Sequence, residues 1–371
     1  MKDMEDLNLF FQYYSCQDKS AATKNVLNTS EALNKLFNVS IMGTLSHPKS
    51  IFDLYGVNDE IDFYKCSVGI DGGILHQMPD RLIFVLSSYL NIFRQDIDVL
   101  YSRDILFMIF LSFPFVSRDY KVVYESHDRF SRRLFMPEKL EKRGLMEADR
   151  IMAVSEGLRR DFEKMGVPES HISVQRNCID VEDYRFSPIE KEGKTVLTYV
   201  GSFSERKDVE TLIDSYKILS KQKKKNFKLN LVGKKVKWVE NAVNGLENVN
   251  YTGYRGSEKL GDYFEQSNIF IMTSKDNEHQ RNYTSPMKLF EYMASGRPVI
   301  SADLPTMRAI GGKNIYYYQP DNSEDLADKI DYVSKNYSKA LEKAERALET
   351  VKNNYKLERK AENVKEVVKE I

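Results

Sequence analysis

Two successive series of short apolar runs, each run followed by a helix-like stretch, dominate this chain of 371 residues. Brief runs of β-branched and aromatic residues between amphipathic helices mark βα units, in which each crossover helix returns the chain to the same end of a parallel sheet. The first series reads "LNLFFQYY", "FNVSIMG", "DIDVLYS", "YKVVYESHD", "DRIMAVS" and "HISVQRN", with helices such as "AATKNVLNTSEALNKL" and "EGLRRDFEKMG" between them. The charged, turn-rich "VEDYRFSPIEKEGKT", Val181 to Thr195, interrupts it. A second series follows: "VLTYVGSF", "FKLNLVG", "VNYTGY", "NIFIMTS", "RPVISAD" and "NIYYYQP". The expected class is α/β, with two doubly wound, Rossmann-like domains, because the chain exceeds what one core serves. The expected domains are residues 1–185 and 186–352, with a charged helix over 353–371 packing back toward the first.

Lys plus Arg and Asp plus Glu both total 55, so no net field draws the chain to nucleic acid. Cys16, Cys66 and Cys178 lie far apart, with neither zinc-like spacing nor a disulfide framework. The amino terminus "MKDMEDLNLF" is acidic where a signal peptide needs basic residues. The most apolar run, "ILFMIFLSFPF" from Ile105, has about half the roughly 20 residues of a spanning helix and is expected to be a buried helix. The expected location is therefore the cytoplasm.

Open α/β sheets bind ligands at the carboxyl ends of their strands, so two such domains imply a cleft lined by strand-end loops. Gly201 ends one strand and Lys207 precedes the helix "DVETLIDSYKIL", a setting suited to phosphate. In "YTSPMKLFEYMASGRPVIS", Ser285 reads as an N-cap, Pro286 as the first helical residue and Gly296 as the stop. That helix end, with Thr284 and Ser285, offers free N–H groups to an anion. Met287, Phe290, Met293 and Ala294 share its core face; Thr284, Lys288, Glu291 and Ser295 share another, so Glu291 is expected to face away from the core. Glu291 is then either half of a surface pair with Lys288 or an acceptor for a ribose beside a diphosphate. His127 ends the strand of "YESHD".

The stretches "YVGSFSERKDVETLI", "YTGYRGSEKLGDYFEQSNIFIMTS" and "TSPMKLFEYMASGRPVISAD" closely resemble the carboxy-terminal domain of family 4 retaining glycosyltransferases of the GT-B fold. In the first half, "VLYSRD", "VVYESHD" and "LMEADRIMAVSEGLRRDFEKMGVPESHISVQRNCIDVEDY" resemble the region from that family's active-site histidine to its "pNGvD" turn; the first 90 residues match in pattern only. The resemblance implies that Lys207 meets the donor diphosphate, beside the strand-end Gly201, and Glu291 the ribose. It further implies the backbone of Ser285, Met287, Lys288 and Leu289 near phosphate and sugar, Tyr254 or Arg255 near the base, and His127 beside the donor sugar and acceptor. Retention of configuration and independence of metal ions follow from the same resemblance, the departing phosphate itself taking the proton of the incoming hydroxyl.

Three positions depart from the family pattern. Tyr283 stands where members carry a sugar-binding Glu, and Ser202 where they carry an Arg that Arg206 or Arg281 could replace. "SCQDKSAATKN" stands for the Gly-rich loop, with Ser20, Ala21 and Ala22 its small residues. His47 and His76 lie in loops that could meet the acceptor, and "KQKKKNFK" from Lys221 reads as a solvated face. The reading is a transferase using a nucleoside-diphosphate sugar, a UDP- or GDP-sugar, on a glycan or lipid-linked acceptor, without cofactor, with peripheral contact at the inner membrane face. The alternatives are a non-catalytic nucleotide-sugar-binding subunit and a sugar-nucleotide epimerase on the same fold.

Overall fold

A computed structural model describes residues 3–14, 21–44, 52–53, 55, 57, 61–66, 78–134, 136–184, 193–221 and 226–371. The chain divides into two compact units, Met1–Cys178 with Leu357–Ile371, and Ile179–Lys356. The expected class holds in each.

In the first unit, strands β1 (Asn8–Gln12), β2 (Asn38–Gly43), β3 (Asp62–Lys65), β4 (Val99–Ser102), β5 (Lys121–Ser126), β6 (Arg150–Ala153) and β7 (Ile172–Val174) form one sheet. Their order is β3-β2-β1-β4-β5-β6-β7, with every pair parallel. The order reverses between β1 and β4, which opens a crevice at their carboxyl ends. Helices α1 (Ala21–Asn34), α2 (Met78–Phe93), α3 (Ile105–Leu111), α4 (Phe130–Leu134), α5 (Glu138–Leu145) and α6 (Glu156–Lys164) make the crossovers. With both faces covered, central strands are apolar throughout: Leu9, Phe10 and Phe11 are all fully buried.

The run from Ile105 is shorter as a helix than expected. Asp104 caps α3 by accepting from Leu106 N–H at 2.8 Å, and Ile105, Phe107, Met108 and Leu111 are buried. Pro114 cannot continue a helix, and beyond Leu111 the chain turns outward with Phe113 and Phe115 exposed. Beside them Leu82, Leu86, Leu90 and Phe93 form an exposed stripe along α2, with Phe93 79% accessible.

The second unit repeats the plan with β8 (Thr195–Val200), β9 (Phe227–Val232), β10 (Val249–Tyr251), β11 (Ile269–Met272), β12 (Val299–Ala302) and β13 (Tyr316–Tyr318), ordered β10-β9-β8-β11-β12-β13. Its helices are α7 (Val209–Lys221), α8 (Lys237–Val243), α9 (Ser257–Glu265), α10 (Glu278–Asn282), α11 (Met287–Ala294), α12 (Pro305–Gly311), α13 (Ser323–Lys335) and α14 (Tyr337–Asn354). The switch point lies between β8 and β11.

The last helix, α15 (Leu357–Lys369), belongs to the first unit and packs on α1. Its buried face is Leu357, Lys360, Ala361, Val364 and Val368, a helical stripe with a lysine in an apolar position.

Candidate active site

In the second unit the site is built where β8 and β11 diverge. β11 pairs with β8 only at Leu197 and Thr198, so the Val200 backbone has no strand partner on that side. The buried phenol of Tyr292, on α11, replaces it: Val200 N–H donates to Tyr292 Oη at 2.8 Å, and Tyr292 Oη donates to Val200 O at 3.0 Å. On the other side the strand ends approach closely, since a Cβ on Gly233 would lie 1.9 Å from the Gly201 carbonyl oxygen. Only glycine fits there.

After Gly201 the loop runs through exposed Ser202 to a short 3-10 turn, Glu205–Lys207. Asp208, at φ 50°, reverses the backbone before α7 begins at Val209. The loop is sewn to the end of β11 through its backbone: Thr273 Oγ1 donates to Lys207 O at 2.5 Å, and Lys275 N–H to Arg206 O at 3.1 Å. Lys275 also pairs with the buried Asp208 at 2.9 Å and with Asp321 at 2.7 Å. Lys207 is half-buried and, among the described residues, has no carboxylate partner. Burial, then neighbouring Arg206, lowers its pKa below the usual lysine value. An uncompensated cation at a strand end favours an incoming anion.

The helix bearing Glu291 starts one residue later than expected, at Met287. Pro286 sits at the cap position with extended backbone (φ −74°, ψ 116°) and makes no side-chain capping bond. Thr284 Oγ1 instead donates to Gln280 O at 3.1 Å, and Ser285 is buried. Leu289 is fully buried in the core, while Met287 and Lys288 are half-buried, so Leu289 can offer a ligand only its backbone.

Glu291 corrects the expectation that it faces away from the core. It is 6% exposed, paired with Lys288 and hydrogen-bonded by the Tyr184 phenol, whose pKa burial and then Glu291 push well up. Tyr184 comes from the turn Glu182–Tyr184, which packs against α11 and roofs the carboxylate. Glu291 is therefore a held acceptor, not half of a surface pair.

Of the two arginines that could stand in for the family Arg at Ser202, Arg281 is clamped by Asp276, with Nη2 to Oδ2 at 2.5 Å. Arg206 is exposed beside Lys207. Tyr283 is buried, its hydroxyl 3.5 Å from Glu278 Oε1 and its ring edge-on to His279. Tyr254 is 61% exposed and Arg255 is exposed, after Gly253 at φ 77°. Cys16, Ser20, His47 and His76 lie outside the described residues.

In the first unit His127 follows β5 and sits over a buried charge cluster. Glu125 Oε1 accepts from Arg103 at 2.9 Å and from Lys360 of α15 at 3.0 Å, and lies 2.7 Å from His127 Nε2. Tyr101 Oη donates to Oε2, which also lies 2.9 Å from Lys360. Burial alone would raise the Glu125 carboxyl, but Arg103 and Lys360 outweigh it and hold it well below the usual range. Neither Arg103 nor Lys360 was singled out from the sequence. "VLYSRD" placed Arg103 at a strand end; Lys360, in a charged helix, left no signal. Among the described residues no group of three or more His, Cys, Asp or Glu is placed to hold a metal, and no helix is long and apolar enough to cross a membrane.

Known proteins share this layout. The description of Glycosyltransferase Family 4 matches residues 24–183, and that of Glycosyl transferases group 1 matches residues 194–336. A putative teichuronic acid biosynthesis glycosyltransferase, TuaH of Bacillus subtilis, is 33% identical over 73 residues, and the chain spans 18% of that relative's length. The fold resembles HepE of Anabaena in complex with UDP-glucose, at 17% identity and TM-score 0.75, covering 98% of this chain and 100% of that one. Sucrose-phosphate synthase of Thermosynechococcus elongatus aligns over 98% of both chains at 16% identity and TM-score 0.76.

Proposed function

Because the chain belongs to the family 4, group 1 glycosyltransferases, with a GT-B fold, we propose that it moves a sugar from a nucleoside-diphosphate sugar to a hydroxyl of a growing glycan or lipid-linked acceptor, with retention. The observation that carries this reading is the pairing, in one unit, of an uncompensated Lys207 with a buried, pre-oriented Glu291 around a single switch point. Lys207, with the N-terminal end of α11, neutralises the departing diphosphate in place of a divalent ion, and Glu291 accepts from the ribose hydroxyls. His127 orients the acceptor hydroxyl or the donor sugar. That HepE is solved with UDP and glucose supports a UDP-sugar first among donors.

The test is a calorimetric and thermal-shift panel of UDP, GDP, ADP and CDP with their sugar conjugates, followed by product detection with excess chelator. Stabilisation by one nucleotide and chelator-resistant transfer support the reading. Absence of binding by all of them overturns it. Binding without hydrolysis or transfer favours a donor-binding subunit, a second reading for which the buried Tyr283 in the family's Glu position speaks.

We further infer that the exposed α2 stripe, continued by Phe113 and Phe115, rests on an anionic lipid surface. Arg143 covers the Phe113 ring at 5.5 Å, and exposed Arg94 follows Phe93 at the end of the stripe, the mixture of apolar and cationic groups such surfaces retain.

A further inference from the structure

Lys360 is an expensive residue where it stands. It occupies the apolar face of α15, 1% exposed, where a leucine or methionine would pack the helix on α1 without desolvating an ammonium. The remaining attachments of α15 do not need it: Leu357, Ala361, Val364 and Val368 are buried, and Asn363 Nδ2 donates to Gln175 Oε1 at 2.7 Å. What Lys360 uniquely reaches is Glu125, touching both carboxylate oxygens.

That carboxylate is saturated. Arg103, Lys360, Tyr101 and His127 occupy its roughly four acceptor directions, so it cannot swing and the imidazole bonded to it is fixed in plane. An ionised carboxylate only accepts, so Nε2 of His127 carries the proton and Nδ1 is left with a lone pair. The ring is the cluster's one outlet, 34% exposed where Glu125 and Lys360 are sealed. The charge count then decides the ring's protonation. A lone carboxylate beside a histidine stabilises imidazolium; here two cations overcompensate one carboxylate, and a second positive charge on the ring is disfavoured. The charged groups acting on the ring are Glu125 from its own segment, Arg103 from the end of β4 and Lys360 from α15. Burial, with Arg103 and Lys360 opposing Glu125, lowers the His127 pKa below its ordinary value.

We propose that Lys360 is a positioning residue for the transfer reaction: acting through Glu125 together with Arg103, it fixes His127 as a neutral imidazole whose Nδ1 accepts a hydrogen bond from a substrate hydroxyl. The last helix of the chain thereby completes the half-site formed by the first unit. This rests on the glycosyltransferase reading for the word substrate; the state of the ring does not.

The experiment is NMR of the full chain carrying imidazole-15N histidine, with the His127 signals identified by their loss in His127→Gln. In the wild type the nitrogen shifts report the Nε2–H tautomer and a midpoint below the ordinary 6.5. In Lys360→Met the midpoint rises, and in Lys360→Arg, which keeps the cation, it returns toward the wild-type value. An Nδ1–H tautomer in the wild type, or a midpoint that Lys360→Met leaves in place, overturns the proposal. Should Lys360→Met not fold, the wild-type tautomer and midpoint alone decide. The pH–rate profile is the second arm: the acidic limb of kcat moves to higher pH in Lys360→Met, whereas a merely structural lysine lowers the whole profile without moving the limb. A His127 titration that behaves as stated in a protein that transfers no sugar defeats the glycosyltransferase reading alone.

Discussion

The phenol of Tyr292 completes the hydrogen bonding of Val200 on the side where β11 has turned away, accepting at 2.8 Å and donating at 3.0 Å. A strand end with unpaired N–H and C=O groups in a crevice would draw in β11 or water; one tyrosine satisfies both groups and leaves β11 free to diverge. Tyr292→Phe removes the oxygen and leaves both Val200 groups unsatisfied. The expected loss is about 1–3 kcal/mol, seen as a fall of several degrees in Tm together with weaker nucleotide binding. An unchanged melting curve would show that water replaces the phenol.

Lys207→Ala separates fold from chemistry. The loop is held by the Lys207 carbonyl, which accepts from Thr273 Oγ1, so the side chain can be removed without loosening it. Tm is expected to hold or rise slightly, because the change removes a half-buried cation that has no carboxylate partner among the described residues. Turnover is expected to fall by roughly 100- to 1,000-fold, the usual effect of deleting one group that stabilises developing charge. Steady-state kinetics with a chromatographic product assay measures it, and an equal rise in KM with kcat intact would move Lys207 from transition-state to ground-state binding.

Glu291 predicts ribose discrimination. Held by Lys288 and Tyr184, it presents acceptors and no donors while ionised. Wild type should bind the ribonucleoside diphosphate more tightly than its 2′-deoxy and 3′-deoxy analogues, and Glu291→Ala should bind them alike. At 100 times Kd the wild-type complex gains about 2.7 kcal/mol, so a thermal-shift titration resolves the difference. Equal affinity for all three by the wild type removes the ribose role.

The pattern of this second half was readable because its parts are local. The run "NIFIMTS" and the helix after Ser285 show their periods within one window, and the Lys288–Glu291 contact is a three-residue spacing on a helix. What periodicity cannot reveal is what covers a face: Glu291 is buried because Tyr184, more than 100 residues earlier, lies over it. The same limit hides the first unit's cluster, since Glu125 and Lys360 are 235 positions apart and a lysine in "ERKAENVKEVVKEI" looks like any solvated helix charge. β3 leaves no strand signal, since "DFYK" has four residues at a sheet edge, with Asp62 and Lys65 exposed.

The α2 stripe gives a membrane test independent of the chemistry. Leu86→Asp and Phe115→Asp place charges on exposed positions, where stability should change by less than about 0.5 kcal/mol. Wild type should co-sediment with vesicles rich in phosphatidylglycerol, less with phosphatidylcholine alone, and each variant should lose most of that binding. Retained sedimentation of both variants excludes this face as the contact.

Glu125 makes a sign-definite prediction about acid. Its folded pKa lies well below the unfolded 4.5, so its stabilisation is complete above that value and is lost progressively as pH falls toward the folded one. Glu125→Gln leaves Arg103 and Lys360 buried without a counter-charge; removing one partner of a buried ion pair typically costs roughly 3–5 kcal/mol. The variant should therefore melt well below wild type at pH 7, and the gap should narrow as pH drops below about 4.5, because the unfolded wild type takes up a proton there that the folded carboxylate resists. Melting curves of both proteins between pH 3 and 8 check this. A gap that stays constant into acid would mean that folding leaves the Glu125 pKa where it is, and the charge count that sets His127 would have to be redrawn.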